Sequence, residues 1–218
     1  AGTPGGLYVI DRPEAEQSLI LSAQLVPPKA NPDEMAFTVF NDGFGGAFSA
    51  RINMNLREDK HWTYGSYSFA FDARGQRPWF VYAPVQTDKT KETVQEILRE
   101  LRDATGSRPL STQEVADARD RQTLTLAGRW ETADAVSNSL QEQETYDLAA
   151  DYWQTYAARA RAVTPEQATA SAKKMLDPGQ MVWVVVGDRT KIEASLRELG
   201  LGEIRYLDSD GRPLGAGK

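Results

Sequence analysis

The order of hydrophobic patterns along the chain is the feature that most constrains its fold. Strand-like apolar runs occupy residues 7–10, 19–26, 63–71 and 79–85, and two more occupy residues 181–186 and 203–207. From residue 87 up to the strand at 181 the apolar spacing is mainly helical. Because strands cluster early, helices follow and a strand closes the chain, we predict an α+β fold, with a mostly antiparallel sheet and helices packed on one face.

Local signals predict where the elements begin and end. The runs at 7–10 and 19–26 are interpreted as a strand pair joined by a polar connection, and the run at 79–85 is apolar on both faces, which favours a central strand. Capping boxes at Ser111–Glu114 and Thr164–Gln167 open two helices. Further helices are expected over 31–43, 48–59, 87–106, 132–143 and 148–159, and after the strand at 181–186. No linker divides the 218 residues, so we predict a single domain over 1–218.

Composition excludes several kinds of chemistry. The chain has no Cys, which excludes disulfides, Cys-ligated zinc, iron–sulfur clusters and thiol catalysis. Its one histidine, His61, is followed by Trp62 and not by a partner His or Glu at ligand spacing, so a surface or loop histidine is favoured over a metal ligand. We therefore predict no metal site in this chain. The net charge of −6 gives no electrostatic basis for binding nucleic acid, and no apolar stretch approaches the roughly 18 residues of a membrane span.

Two segments resemble nucleotide-binding loops only superficially. The strand ending in Gly187-Asp188 precedes a helix but lacks both G-x-G-x-x-G and the P-loop pattern, so Asp188 or Thr190 is expected to cap that helix. Gly45 and Gly46 are not followed by Lys and Ser/Thr at P-loop spacing. Neither segment predicts a phosphate site.

The segment from residue 44 to residue 68 carries the most specific pattern. It reads FGGAFSARINMNLRE over 44–58 and YGSYS over 64–68. This pattern resembles the non-catalytic half of the pitrilysin/insulinase-like zinc peptidases, the inverzincins. That family shows a Gly-Gly-x-Phe/Leu-Ser-x-Arg run, then Leu-Arg-Glu, then Tyr seven residues after that Arg, and Arg57 and Tyr64 stand at this spacing. The H-x-x-E-H element of the catalytic half is absent, and a single histidine could not supply it.

The resemblance implies a division of work between two halves that enclose a chamber. The partner half, on the same polypeptide or on a separate subunit, would carry H-x-x-E-H and bind zinc, while this chain would bind no cofactor. Arg57 and Tyr64 would be catalytic and would reach the scissile bond of a peptide substrate. Gly45, Gly46, Phe48 and Ser66 would bind substrate, although the two glycines are also expected simply to form a tight turn.

The residues themselves are compatible with that role. A guanidinium and a phenol both donate hydrogen bonds, as an oxyanion developing at a peptide carbonyl requires. The alternation over 64–71 predicts Tyr64 on the strand face of Ser66 and Ser68, opposite the apolar face of Tyr67, Phe69 and Phe71. Such a face suits an open cleft wall. The alternative interpretation is a solvated arginine at a helix end and an ordinary strand tyrosine.

Other functions remain open at this stage. A catalytically silent scaffold or assembly module would have the same pattern, and so would a free-standing peptide-binding protein. Since the chain starts at Ala1 and not at Met, we expect it to be excised from a longer two-half peptidase. The bacterial members that the sequence resembles suggest a periplasmic or envelope location.

Overall fold

A computed structural model describes residues 5–214 and shows one mixed sheet covered by helices. The strands are β1 (Gly6–Asp11), β2 (Gln17–Val26), β3 (Tyr67–Ala70), β4 (Arg77–Gln86), β5 (Val182–Gly187) and β6 (Ile204–Leu207). The helices are α1 (Glu34–Asn41), α2 (Arg51–Asn53), α3 (Thr90–Ala104), α4 (Thr112–Leu124), α5 (Ala133–Thr145), α6 (Tyr152–Ala162), α7 (Pro165–Met175) and α8 (Arg189–Arg197). Two π-helical segments, Asp42–Gly46 and Met54–Asp59, interrupt the first helical region.

The sheet has the strand order β3-β4-β2-β5-β1-β6. The β3–β4, β4–β2 and β2–β5 pairs are antiparallel, whereas β1 is parallel to both β5 and β6. The predicted α+β fold with a mostly antiparallel sheet is therefore confirmed. The expected pairing of the first two strands is wrong, because the valine-rich β5 inserts between β1 and β2.

Helices cover one face of the sheet, as predicted. Trp79, Val81, Ala83 and Val85 of β4 are fully buried under the helices, while their neighbours Phe80, Tyr82 and Pro84 are only half-buried on the opposite face. β4 is an interior strand between β3 and β2, as its apolar sequence suggested. We call the uncovered side the open face of the sheet.

The helix starts predicted from capping boxes are confirmed. The Ser111 hydroxyl accepts from the Glu114 amide at 3.2 Å, and the Glu114 carboxylate accepts from the Ser111 amide at 2.7 Å. Thr164 and Gln167 form the same reciprocal pair. Within residues 5–214, no helix is both long and apolar enough to cross a membrane.

The region between residues 48 and 71 departs from the predicted elements. In place of one helix over 48–59, α2 passes directly into the second π-helical segment, and Phe48 lies before α2 with 54% of its surface exposed. The predicted faces of the following strand are reversed: Ser66 and Ser68 are buried, whereas Tyr67, Phe69 and Phe71 are exposed. A Cβ on Gly45 would lie 2.5 Å from the Ser68 hydroxyl oxygen, so the π-helical backbone leaves space only for small residues on this side of β3.

Candidate functional site

Arg57 is placed by the second π-helical segment. Leu56 is fully buried in the core, and the adjacent Arg57 projects to the surface, where its guanidinium carbon lies 4.4 Å from the centre of the Phe48 ring. His61 ends the segment with a left-handed backbone (φ 58°), and its amide donates to the Arg57 carbonyl at 3.1 Å. This left-handed turn directs the chain back toward the sheet. π-helical turns are common at functional sites.

Tyr64 is placed by the turn that follows. Thr63 forms an isolated antiparallel bridge with Val85 of β4, its hydroxyl donates to the Pro84 carbonyl, and it accepts from the Gly65 amide at 3.1 Å. The turn holds Tyr64 outward with 90% of its surface exposed. The Arg57 guanidinium carbon lies 5.8 Å from the centre of the Tyr64 ring.

Phe48, Arg57 and Tyr64 thus form one group at the surface, which we call the Arg57 cluster; Phe48 and Tyr64 are exposed and Arg57 is half-buried. The Arg57 guanidinium makes no side-chain hydrogen bond within residues 5–214, and its closest acidic neighbour is Glu58, with Nε 3.6 Å from a carboxylate oxygen. The donors of Arg57 and the hydroxyl of Tyr64 therefore face solvent together. A cation held over aromatic rings keeps its N–H groups available at the ring edges.

The other residues predicted to bind substrate lie in different environments. Gly45 is buried against Ser68, and Gly46 is exposed at the end of the first π-helical segment. Ser66 is fully buried, and its hydroxyl has no hydrogen-bond partner within residues 5–214. In the chain alone, the Ser66 side chain therefore has no surface that a substrate could contact.

A polar network attaches the second π-helical segment to α3. The buried Asn55 donates to Glu96 at 2.9 Å and to Glu100 at 2.7 Å. Burial raises the pKa of Glu96, but hydrogen bonds from Arg99 and Asn55 outweigh burial and leave that pKa below its ordinary value. The Glu96 carboxylate is therefore an ionised acceptor at neutral pH. Its hydrogen bond from Asn55, together with that of Glu100, fixes the segment that carries Arg57.

Residues 5–214 contain no cluster of His, Asp or Glu suited to holding a metal ion. His61 is exposed, and its Nδ1 lies 3.0 Å from the Arg57 carbonyl oxygen. The chemistry that this surface can perform is hydrogen-bond donation.

A cavity of about 630 Å³ lies elsewhere, between α5, α6 and the chain before α1. Its charged lining residues are already paired, Lys29 with Asp72 at 3.0 Å and Arg129 with Glu142 at 2.5 Å. Burial raises the pKa of the lining residue Tyr156 to about 12, so its phenol stays protonated. Because these charged side chains are paired, they leave no free charge for a ligand in this cavity, and none of its lining residues belongs to the Arg57 cluster.

The apolar surface on the open face of the sheet is a feature that the sequence analysis did not predict. In one row across the sheet, Tyr82 pairs with Leu21, Leu21 with Val184 and Val184 with Tyr8, and each is half-buried. Phe69, Phe71 and Phe80 extend the apolar surface, with ring centres 5.5–5.7 Å apart. In the sequence, this surface is indicated by apolar residues at alternate positions in β2, β4 and β5. Alternation alone, however, does not show which face of the sheet the helices cover.

Comparison with known proteins identifies related sequences and folds. A family profile described as "Peptidase M16 inactive domain" matches residues 2–122, which include the Arg57 cluster. The comparison with curated proteins gives no significant sequence match.

Solved structures share the fold over most of this chain. A peptidase M16 inactive domain from Pseudomonas fluorescens is 23% identical, with a TM-score of 0.79 over 86% of this chain and 44% of that one. A protease from Helicobacter pylori is 13% identical, with a TM-score of 0.71 over 84% of this chain and 44% of that one. A chain in complex III₂ from Candida albicans is 13% identical, with a TM-score of 0.72 over 89% of this chain and 49% of that one. The present chain thus spans less than half the length of each.

Proposed function

This chain belongs to the peptidase M16 inactive-domain family, the inactive half of zinc proteases, and from that membership we propose that it supplies two hydrogen-bond donors to peptide cleavage. In this proposal Arg57 and Tyr64 contact the scissile peptide of a substrate bound between this chain and a zinc-bearing half with H-x-x-E-H. A zinc ion held by that half would supply an activated water.

The closeness of Arg57 and Tyr64 at the surface is the observation that supports this proposal. Seven positions separate them in the sequence, yet the turn at His61 brings guanidinium and phenol onto one surface with their donors free. When water adds to a peptide carbonyl, negative charge develops on the carbonyl oxygen, and preorganised donors stabilise that charge. Phe48 supports Arg57 from beneath and borders the same surface.

The requirement for a second half is also part of the proposal. The chain spans 44% of the Pseudomonas fluorescens and Helicobacter pylori chains, which leaves room in those two proteins for a second domain of this size. The open face carries the half-buried row that includes Leu21 and Val184 beside the exposed rings of Phe69 and Phe71, and contiguous apolar surface of this kind is typical of protein interfaces. We propose that the catalytic half covers this face.

The test combines this chain with a matching H-x-x-E-H half and measures peptide cleavage. Arg57→Ala and Tyr64→Phe should each lower kcat by about 10²–10³, the usual effect of losing one oxyanion donor. Arg102→Ala, which removes an exposed arginine from α3, is the matched control and should leave kcat unchanged. Unchanged kcat in both site variants would show that the Arg57 cluster takes no part in catalysis.

A scaffold role is the second candidate, and the fold shared with a chain of Candida albicans complex III₂ favours it. In that case the matching half would itself lack H-x-x-E-H, and the pair would associate without cleaving peptides. Sequencing the partner and assaying the pair with added zinc separate the two functions.

A further inference from the structure

Asn53, the last residue of α2, joins the two chain segments that flank Arg57. Its side chain is fully buried. The Asn53 amide nitrogen donates to the Phe48 carbonyl at 2.7 Å, and its amide oxygen accepts from the Ser66 amide at 2.9 Å. One planar side chain therefore bonds to both segments.

Each of these bonds reaches a different part of the Arg57 cluster. Phe48 lies in the loop before α2, and its ring contacts the Arg57 guanidinium. Ser66 lies two residues after Tyr64, between the Thr63 turn and β3. Because the Asn53 amide is rigid and buried, it fixes the separation between the Phe48 loop and the Tyr64 turn.

Neither bonded group belongs to a regular element. Ser66 precedes β3 and Phe48 precedes α2, so no sheet ladder or helix holds them. A buried amide or carbonyl without a hydrogen-bond partner costs about 1–3 kcal/mol. This cost favours the state in which both segments stay hydrogen-bonded to Asn53. Asn55, two positions later, points instead to α3.

We propose that Asn53 is a positioning residue, which holds the Phe48 ring and the Tyr64 phenol next to Arg57. Its bearing on catalysis rests on the proposed function, but the arrangement that it maintains is a property of this chain alone. The two are tested by separate measurements.

The arrangement is tested by NMR on the full 218-residue chain. The Phe48 ring should shift the Arg57 side-chain signals upfield, and these signals are assigned by comparison with Arg57→Ala. Asn53→Ala should abolish this shift. Asn53→Asp retains the size and the acceptor for Ser66 but, when ionised, cannot donate to Phe48, so it should also reduce the shift.

Asn31→Ala is the matched control. At the start of the α1 region, Asn31 likewise donates to a carbonyl, that of Pro28 at 2.7 Å, and accepts from an amide, that of Asp33 at 3.0 Å; it also donates to the Glu34 carboxylate at 2.9 Å. Its loss should lower stability while leaving the Arg57 signals in place. In the unmodified chain, the Ser66 amide should exchange slowly with solvent although it lies outside the strand, which tests the proposal even where a variant does not fold.

In the assembled peptidase, Asn53→Ala should lower kcat by about tenfold to 10²-fold with little change in KM, as expected for misplaced catalytic groups. Displaced Arg57 signals with unchanged kcat would support the positioning role and contradict the proposed function. Unshifted Arg57 signals in folded Asn53 variants, or a rapidly exchanging Ser66 amide, would overturn the inference.

Discussion

At the scale of single residues, the environments of two nearby arginines determine what each can do. Arg51 is almost completely buried, and its guanidinium donates to Glu114 at 2.9 and 2.7 Å and to the carbonyls of Arg108 and Pro109. Arg57 lies at the surface with no such partners in the described part of the chain. Arg51 therefore anchors α2 to α4, whereas Arg57 remains able to bind another molecule.

The Arg51–Glu114 pair predicts a pH-dependent stability. Burial raises the pKa of Glu114, but hydrogen bonds from Arg51 and from Ser111 outweigh burial and lower it below the ordinary value of 4.5. A carboxyl group with a lowered pKa stabilises the fold above its unfolded pKa, and this stability is lost as the pH falls through the folded pKa. Glu114→Gln should retain the capping box and cost about 1–2 kcal/mol at pH 7.

This prediction is checked by denaturant unfolding of both proteins between pH 7 and pH 2. The difference in unfolding free energy should shrink as the pH falls from about 4.5 through the lower pKa of the folded state, because the unfolded chain takes up the proton first. A difference that stays constant down to pH 2 would mean that the ion pair does not cause it.

At the scale of elements, close backbone packing determines the shape of the site region. The first π-helical segment approaches β3 so closely that Ser68 contacts Gly45, and Ser68 also donates to the Asn41 side chain at 2.7 Å. The second π-helical segment then carries Arg57 outward after the buried Leu56. The orientation of the Arg57 cluster thus depends on small residues beneath it.

Gly45→Ala tests this dependence. The added Cβ would lie 2.8 Å from the backbone nitrogen of Ser68, and a backbone atom cannot move aside cheaply. We expect a loss of about 1–3 kcal/mol in unfolding free energy. Gly75→Ala is the control, since no atom lies within 4 Å of its added Cβ and its stability should change little. Equal stability of the two variants in thermal unfolding would contradict the packing argument.

At the scale of the whole molecule, the fold separates a covered face from an uncovered one. All helices that pack on the sheet leave the row from Tyr82 through Leu21 to Tyr8 half-exposed. The Arg57 cluster lies near one end of β4, because Thr63, which precedes Tyr64, pairs with Val85 of that strand. A partner bound over the open face would therefore lie beside the cluster.

Leu21→Lys tests the role of the open face. A charge in the middle of this row should weaken association with the catalytic half by about tenfold or more, because a buried lysine without a partner opposes binding. Folding should be maintained, since Leu21 is only half-buried in the chain alone. Leu124→Lys, at an exposed position on α4, is the matched control. Association constants measured by calorimetry decide the outcome, and equal values for both variants would exclude the open face as the interface.

The sequence by itself determined the features that depend on neighbours along the chain. Helix starts at Ser111 and Thr164 follow from side chains that bond to amides three residues away, and the spacing of Arg57 and Tyr64 is visible directly. The α+β class follows from the order of apolar periodicities. These features depend on interactions between residues close together in the chain, so a short stretch of sequence is enough to predict them.

Only the tertiary structure decided strand order, face and side-chain grouping. β5 inserts between β1 and β2 although about 155 residues separate it from β2, and the buried side of β3 packs closely against Gly45. The stacking of Phe48 on Arg57 and the two bonds of Asn53 likewise join segments whose relative positions no local pattern specifies. Burial and hydrogen-bond satisfaction between distant segments select these contacts, and both depend on the whole folded chain.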